Sequence, residues 1–407
     1  MRKRSIATAL LARLIVVALA LVGGCAQDET PRVRLFECPT PAGSAEPNLH
    51  VRENRLYVSW LHHGETGHAF QYALYEDGAW RGVRTIVEGE RFFANWADVP
   101  SIVELSDGSL VAHWLQRNGD DPHGYDALLA VSHDGTRWST RHPHRDGTAT
   151  QHGFVSIAAD DRAGAAVVWL DGRNYAGGKG EDEAEMQLMW CDLSADGCAP
   201  EAALDTRVCS CCPTSVARTA TSTLVAYRDR SPSEVRDISL VRRENGAWSE
   251  PYALADDGWQ ISGCPVNGPA LAADGERVAA ARFTLGGGEA AVRLSFSRDE
   301  GRTFPVDVRV DDGNPLGRSD VVLLPRGDAL VLWIESPPEG AVEIRARRVA
   351  PDGHLDDSFL VSTTSPERAS GFPRMERIGN HVYFAWTEVA EPTRVRMATL
   401  ELPRPWR

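Results

Sequence analysis

One strand pattern recurs seven times along the chain, at intervals of about 54 residues. Each copy is a short run rich in small and β-branched residues that ends on, or next to, an aromatic side chain. The runs end at Trp60, Trp114, Trp169, Tyr227, Arg282, Trp333 and Trp386. The fifth copy is the weakest, because Arg282 stands in the aromatic position and Phe283 follows it. A short β-rich unit cannot bury its apolar face alone, so this repeat indicates a ring of similar sheets.

Each repeat contains four candidate strands, which we call A to D from the innermost to the outermost. In the second repeat they are Ser101–Leu105, Ser109–Gln116, Ala127–Ser132 and the stretch after Trp138. The seventh repeat ends after its third strand, and the strand-like segment Arg32–Glu37 can supply the fourth. Closing the ring in this way leaves no open sheet edge. We therefore predict an all-β fold, a single β-propeller of seven four-stranded blades closed by the N-terminal strand, with six blades as the alternative.

The N-terminus carries a targeting signal. Cationic residues 2–4 precede an apolar stretch that is too short to span a bilayer as a stop-transfer helix, and Gly23, Gly24 and Cys25 follow it. This sequence resembles the lipobox of bacterial lipoproteins, which implies cleavage before Cys25 and its acylation. We expect residues 1–24 to be a signal peptide, 25–31 a lipidated tether and 32–407 the propeller. An ordinary signal peptide with a chance cysteine is the alternative. Ala26 resembles the residue that sorts lipoproteins to the outer membrane, on its periplasmic side or its surface.

The composition limits the partners. The formal net charge is −14. All the charged residues within 1–24 are basic, so removal of this segment would make the protein more acidic. An acidic protein repels phosphate backbones and anionic lipid surfaces. We therefore expect no nucleic acid partner, membrane contact through the lipid anchor only, and a monomer.

A turn motif links the repeat to a known family. Residues 297–304 read Ser-Arg-Asp-Glu-Gly-Arg-Thr-Phe, and shorter or degenerate copies lie at 132–138, 76–80 and 244–248. An Asp-Gly or Asn-Gly pair suits a tight hairpin because glycine tolerates positive φ. The motif resembles the Asp-box, or bacterial neuraminidase repeat, of the sialidase superfamily. Asp-boxes also occur in non-hydrolytic propellers, so the resemblance implies the architecture and leaves the activity open.

The chemically unusual residues fall in the D-to-A and B-to-C connections, which a propeller places on one face. We call it the top face. Such loops on a rigid scaffold are where binding and catalysis concentrate. Arginine forks there could hold carboxylates or sulfates, and aromatic rings could stack on sugars. The candidate ligand contacts are Asn95, Trp96, His152, Asp171, Arg173, Arg228, Arg230, Arg236, Asn267, Arg318 and Arg374. The alternative is that the charged residues form ion pairs that brace the blades, while the histidine and tryptophan pack.

The sialidase resemblance implies catalytic candidates. Active sialidases use three arginines that hold the substrate carboxylate, a Tyr–Glu pair as nucleophile and base, and an Asp as general acid. In this chain the candidate acid is Asp98, and the candidates for the tyrosine and the glutamate are Tyr175 and Glu234. The Arg-Ile-Pro element of sialidases is absent, and no paired Tyr and Glu is evident. We expect a propeller that acts on, or binds, acidic carbohydrate, either as an exo-glycosidase or as a non-hydrolytic relative.

The cysteines support a competing hypothesis. An extracytoplasmic compartment favours disulfides, and we predict one between Cys191 and Cys198 across the C-to-D turn of the third blade. Four more cysteines enter neighbouring blades at the top face, namely Cys209, Cys211, Cys212 and Cys264. A disulfide from Cys264 to one of the other three is the favoured interpretation. A thiolate site for Cu(I) or Zn²⁺ and a redox pair are the alternatives, and Cys38 is a further candidate partner.

Three functions thus remain open at this point. They are carbohydrate recognition without any cofactor, a periplasmic metal or redox site, and a scaffold that binds a protein partner through the top face.

Overall fold

The computed structural model describes residues 31–195 and 197–406. The predicted signal peptide and Cys25 lie outside the described residues. Within the described part, no helix is both long enough and apolar enough to cross a membrane.

Seven antiparallel sheets make up the described chain; six are meanders of strands that follow one another in sequence, and the seventh also includes the N-terminal strand. Strand β1 is Val33–Leu35. Blade 1 consists of β2 (Ser44–Arg52), β3 (Arg55–His63), β4 (His68–Glu76) and β5 (Ala79–Gly89). Blade 2 consists of β6 (Ser101–Glu104), β7 (Leu110–Arg117), β8 (Tyr125–Ser132) and β9 (Ser139–Arg141). The prediction of seven blades is confirmed.

Blades 3 and 4 have an outer strand that is split into two pieces, both pairing with the third strand. Blade 3 consists of β10 (His152–Ala159), β11 (Ala165–Asp171), β12 (Met186–Ser194), β13 (Gly197–Cys198) and β14 (Ala202–Val208). Blade 4 consists of β15 (Ser215–Arg218), β16 (Ser222–Arg228), β17 (Ile238–Glu244), β18 (Ala247–Trp248) and β19 (Tyr252–Ala253).

The last three blades complete the ring. Blade 5 consists of β20 (Ala270–Asp274), β21 (Arg277–Thr284), β22 (Ala291–Ser297) and β23 (Val306–Arg309). Blade 6 consists of β24 (Pro315–Leu323), β25 (Ala329–Glu335), β26 (Val342–Val349) and β27 (Phe359–Thr364). Blade 7 consists of β28 (Arg374–Ile378), β29 (His381–Glu388) and β30 (Arg394–Glu401), and single 3₁₀ turns lie at Arg173–Tyr175, Gly286–Gly288, Arg368–Ser370 and Arg404–Trp406.

The N-terminal strand closes the ring as predicted. β1 pairs antiparallel with β30, with Val33 opposite Leu400, and so becomes the outer strand of blade 7. The sheet that contains the last strands of the chain is thereby completed by the first one, and that edge of β30 is covered.

The hydrophobic core lies between adjacent blades. One cluster joins blades 5 and 6, for example, and another joins blades 6 and 7. The residues at the repeated aromatic position are buried, and Trp60, Trp169 and Trp333 are completely inaccessible. In blade 5 the same position holds Arg282, which is also completely buried. The repeat seen in the sequence is therefore a repeat of inter-blade packing.

Polar contacts also join neighbouring blades. The Oδ2 atom of Asp98, which precedes blade 2, accepts the backbone N–H of Phe154 in blade 3 at 2.7 Å. Asp320 in blade 6 accepts the N–H of Met375 in blade 7 in the same way, at 2.8 Å. In the turn after β22, Glu300 accepts hydrogen bonds from Thr219, Thr221 and Ser222 of blade 4. These carboxylates fix one blade against the next.

The turn that carries the full motif is closed by its own side chains. Ser297 Oγ donates to Asp299 and accepts the N–H of Gly301, and Asp299 accepts both the N–H and the hydroxyl of Thr303. Gly301 has a φ of 78°, which explains the glycine. The motif therefore works as a hairpin turn on the face opposite to the candidate site.

Candidate functional site

The predicted site residues lie along one edge of the blades. His152 begins β10 and pairs with Asp171, which ends β11, so the start of an A strand and the end of a B strand share an edge. Arg228 ends β16 and Arg374 begins β28, which places them at the same edge of their own blades. Arg318, which we expected in a loop, lies inside β24, because this strand begins three residues earlier, at Pro315.

Two of the arginines are held by backbone carbonyls. The buried Arg228 donates to the carbonyls of Asn267, Phe283 and Arg236. Its guanidinium also lies 4.7 Å from the Trp259 ring centroid. Hydrogen bonds to carbonyl oxygens occupy the fork that would otherwise grip a ligand carboxylate.

Arg318 is held through a single nitrogen atom, Nη1. It donates to Ser370 Oγ and to the carbonyl oxygens of Glu367 and Gly371, and its guanidinium lies 4.7 Å from the centroid of Trp96. The Asn95 side chain accepts the N–H of Ala97 and so shapes the same loop. Trp96 and Arg318 come from blades far apart in sequence, and the ring geometry brings them together.

Arg230 and Arg236 share an acidic partner in blade 4. Glu234 accepts hydrogen bonds from both Arg230 and Arg236, and these bonds lower the pKa of Glu234 to about 2. Burial raises the pKa of Tyr175, and the described residues offer its hydroxyl no hydrogen-bond partner. Glu234 and Tyr175 therefore do not form the hydrogen-bonded pair that the sialidase resemblance would require.

Asp98 faces the central channel. The channel has a volume of about 440 Å³ and is lined by the inner strands together with Asp98, Asp320, Arg374 and Glu376. Burial raises the pKa of Asp98 to about 7 and that of Glu376 to about 8. A neutral carboxyl group near pH 7 is what a general acid needs. Asp98 also has the structural role described above, and only 2% of it is exposed.

Arg374 differs from the other arginines. It lines the channel, and its buried Nε atom has no hydrogen-bond partner among the described residues. Burial raises the pKa of the nearby Asp320, and the charge of Arg374 opposes this rise. Arg374 therefore lines the channel without the carbonyl hydrogen bonds that hold Arg228.

A separate polar cluster lies on blade 3 and contains His152, Asp171 and Arg173. Asp171 accepts the indole N–H of Trp169 and two hydrogen bonds from the Arg173 side chain. Arg173 also bonds Glu201. Arg173 therefore takes part in an internal ion-pair network, which was the alternative to a ligand contact at this position.

Four cysteines lie in the connections that lead into blades 4 and 5, and the sulfur atoms of three of them lie within 4.8 Å of one another. We call the four residues the thiol cluster, and they are Cys209, Cys211, Cys212 and Cys264. The Sγ atom of Cys209 lies 3.7 Å from those of both Cys211 and Cys212. Cys264 is within hydrogen-bonding reach of the Cys211 thiol. The backbone N–H of Cys209 donates to the carbonyl of Arg228 at the end of β16, which fixes Cys209 at this edge of blade 4.

The thiols of this cluster are unbonded, as is Cys38, whereas the predicted Cys191–Cys198 disulfide is present. The sequence favoured a disulfide from Cys264 to one of the other three, and the structure does not contain it. A disulfide needs sulfur atoms about 2.0 Å apart, and the 3.7 Å separations around Cys209 are too long for one.

The surroundings of the thiol cluster favour a thiolate. Hydrogen bonds from the Cys211 and Cys212 thiols, with a smaller contribution from the Arg236 charge, lower the pKa of Cys209 well below its ordinary value. Arg236 Nη1 donates to Cys209 Sγ at 3.3 Å, and its other nitrogens bond Glu181 and Glu234. Burial raises the pKa of Cys212 to about 12, so the first negative charge of the cluster resides on Cys209.

Sequence analysis missed two carboxylates of this region. Glu181 accepts hydrogen bonds from Ser210 and Arg236, and Glu185 pairs with Arg207 and Arg230. Both belong to the long B-to-C connection of blade 3, between Asp171 and Met186. The run of acidic residues at 181–185 was the available signal, because it lies in a top-face loop.

Comparisons with known proteins complete the description. No family model matches the sequence, and no curated protein matches it. Among solved structures, an ulvan lyase bound to a GlcA(1-4)Rha3S saccharide has 13% identity, covers 89% of this chain and 95% of its own, and gives a TM-score of 0.54. A Hadza microbial sialidase has 13% identity, 82% and 74% coverage and a TM-score of 0.49. A protein of unknown function from Dyadobacter fermentans has 14% identity, 92% and 98% coverage and a TM-score of 0.48. At these identities the similarity shows the fold alone: the chain is a seven-bladed β-propeller.

Proposed function

We propose that the chain is an extracytoplasmic metal-binding propeller whose thiol cluster holds a soft or borderline ion, Cu(I) or Zn²⁺. The observation that carries the proposal is the 3.7 Å spacing of Cys209 Sγ from two neighbouring sulfur atoms. Two thiolates bound 2.3 Å from a tetrahedral zinc ion stand about 3.8 Å apart, so the spacing fits ligands around a shared ion. The three sulfurs of residues 209–212 lie within 4.8 Å of one another. We propose Cys264, which interacts with the Cys211 thiol, as the fourth ligand.

The charges around the cluster fit the same role. A thiolate cluster around a metal ion carries excess negative charge, and Arg236 donates a hydrogen bond to the Cys209 sulfur. Outer partners of this kind orient ligands and tune the metal. In the oxidising compartment that the N-terminus predicts, a bound ion would also protect adjacent thiols from pairing.

The first prediction concerns metal content. Purified protein should bind one ion at the thiol cluster, and Cys209→Ser should weaken that binding at least about 100-fold, because a ligand is lost. Arg236→Met should weaken it about 10- to 100-fold, as expected for an outer partner. Elemental analysis and competition with chelators, using Cu(I) and Zn²⁺ separately, measure both effects.

Cys38→Ser is the matched control, because Cys38 is an unbonded cysteine that packs in a different cluster of the core, and it should leave the binding unchanged. Mass spectrometry of the oxidised protein supplies the opposing outcome. Fully paired cysteines in the cluster, with no metal bound to freshly reduced protein, would rule the proposal out.

A second candidate function, binding of an acidic carbohydrate, is favoured by Arg374. This arginine lines the channel together with Asp98 and keeps an unpartnered Nε atom. The ulvan lyase among the similar propellers is bound to a saccharide that contains GlcA, which makes this ligand class the one to test. A uronate or sialate carboxylate would pair with Arg374, with the protonated Asp98 nearby as a potential acid.

The second prediction tests this candidate. Uronate-containing and sialylated oligosaccharides should bind the wild type, and Arg374→Ala should weaken binding at least about tenfold, because a charge-assisted contact is lost. Arg377→Ala is the control, since Arg377 also lines the channel but donates to the carbonyls of Leu323 and Gly379. Calorimetry measures binding, and sugar release measures hydrolysis. Equal affinities for the two variants, or no binding by the wild type, would exclude carbohydrate at this position.

A further inference from the structure

Arg318 is a buried cation without a carboxylate partner among the described residues. Only 7% of the residue is exposed, and its side-chain hydrogen bonds run from a single nitrogen, Nη1, to Ser370 Oγ and to two backbone carbonyls. Burial, with a smaller contribution from the charge of Arg368, lowers the pKa of Arg318 to about 10. Arg230, by contrast, has its pKa raised, because it donates hydrogen bonds to Glu234. Buried charges are normally paired, so Arg318 lacks the anion that usually accompanies such a group.

The free edge of Arg318 is the edge that binds oxyanions. Its Nε and Nη2 atoms make no hydrogen bond with any described residue, and both keep contact with solvent. The N–H groups of these two atoms are parallel and form the fork that two oxygens of a carboxylate, sulfate or phosphate accept. Arg282 uses the same two nitrogens to bind Asp257, at 2.7 and 2.9 Å. The fork of Arg318 is therefore free for a ligand.

A second arginine adds to the positive charge beside this fork. The guanidinium group of Arg368 lies 6.0 Å from the ring centroid of Trp96, and that of Arg318 lies 4.7 Å from the same centroid. Arg368 is exposed, and its side chain makes no hydrogen bond or ion pair with a described residue. Trp96 stacks on Phe372, with the ring centroids 5.9 Å apart, which holds the indole in place. We call Arg318 and Arg368 the arginine pair.

The charge of the arginine pair favours one kind of anion. Each guanidinium group carries one positive charge, and no described carboxylate forms an ion pair with either of them. The protein as a whole has a formal net charge of −14, so this local excess of positive charge is an exception. A carboxylate would compensate one of the two charges, whereas a dianion would compensate both. Sulfate and phosphate supply that charge near neutral pH, together with at least three acceptor oxygens.

We propose that the arginine pair binds a tetrahedral dianion, a sulfate or phosphate group, with two oxygens on the Arg318 fork and a third facing Arg368. The Trp96 ring contacts both guanidinium groups through cation–π interactions and so helps to orient them. The site needs no metal ion. It shares no residue with the thiol cluster and does not include Arg374, so it goes beyond both functions proposed above.

The third prediction concerns the binding of inorganic sulfate and inorganic phosphate at constant ionic strength. Arg318→Lys keeps the charge but loses the fork, and it should weaken binding of both anions at least about tenfold, as expected for the loss of charge-assisted hydrogen bonds. Arg368→Gln removes an exposed charge and should weaken binding about threefold. Calorimetry measures the affinities. The Nε–H signal of Arg318 in a ¹⁵N NMR spectrum, identified by its absence from Arg318→Lys, should shift when the anion binds.

Three comparisons define the specificity of the site. Arg298→Gln is the matched control, because Arg298 is an exposed arginine on the turn after β22, at the opposite face, and makes no ion pair with a described residue. It should bind both dianions like the wild type. The tighter of the two probes identifies the group, sulfate or phosphate, that the site takes. Acetate should bind at least about tenfold more weakly than that probe, because it leaves one arginine uncompensated.

Circular dichroism verifies that each variant is folded. Absence of binding by the wild type at tens of millimolar sulfate and phosphate, or wild-type affinity in Arg318→Lys, would overturn the proposal. If Arg318→Lys does not fold, Arg368→Gln decides, because its side chain is exposed and makes no hydrogen bond within the described chain. Equal affinities for Arg368→Gln and Arg298→Gln would then overturn the proposal, as would acetate binding as tight as that of the better dianion.

Discussion

Arg282→Leu is expected to destabilise the propeller by about 3–5 kcal/mol, which is the usual cost of leaving a buried charge without its partner. Arg282 is completely buried and bonds Asp257 and Asp307 at 2.7 Å each. It also donates to Ser295, so one side chain joins the second and third strands of blade 5 to the outer strand β23 and to the loop that precedes blade 5. Leucine fills part of the volume but removes the cation that both carboxylates share. Asp307 keeps its second ion pair, with Arg293, so the cost falls mainly on Asp257. Urea or thermal unfolding followed by tryptophan fluorescence measures the effect.

Two further variants separate charge from volume. Arg277→Leu lies on the same strand and loses an exposed ion pair with Asp274, which should cost about 0–1 kcal/mol. Adding Asp257→Asn and Asp307→Asn to Arg282→Leu should recover at least half of the lost stability, because the uncompensated charges are removed. If the triple variant is as unstable as the single one, the cost lies in the cavity and the electrostatic explanation fails.

The burial of position 282 could be predicted from the sequence, but the ion pairs of Arg282 could not. The period of about 54 residues located the seven buried positions, because each repeat packs against the next in the same register. It also marked Arg282 as the exception. The period did not predict that Arg282 pairs with Asp257 and Asp307. Such pairs depend on how loops fold over the blade, and hydrophobic periodicity does not encode loop conformation.

The same limit applied at the candidate site. The alternation of strand direction correctly placed Asp171, Arg228 and Arg374 at one edge of their blades. Whether an arginine there faces a ligand depends on carbonyls and carboxylates distant in sequence. Arg228 bonds the carbonyl of Asn267 across 39 residues, whereas Arg374 keeps a free Nε atom.

A last variant tests whether the approach of two loops builds the thiol cluster. In Gly268→Ala the new Cβ atom would stand 2.0 Å from the carbonyl oxygen of Pro213, the residue that follows Cys212. The obstacle is backbone, so one loop has to move. We expect a loss of about 3 kcal/mol in stability, at the upper end for overpacking. Because Cys264 sits on the same loop as Gly268, its sulfur should move away from Cys211, and metal affinity should fall at least about tenfold.

Gly263→Ala is the matched control, because Gly263 directly precedes Cys264 and a Cβ atom there would meet nothing within 4 Å. Neither glycine has a positive φ, so the two substitutions differ in contact and not in backbone strain. Both proteins should be compared by thermal unfolding and by metal competition. If Gly268→Ala loses stability but keeps the full affinity of the wild type, Cys264 is not a ligand, and the site consists of the three sulfurs of residues 209–212. If both variants keep the full affinity and stability, the close approach of the two loops has no part in building the cluster.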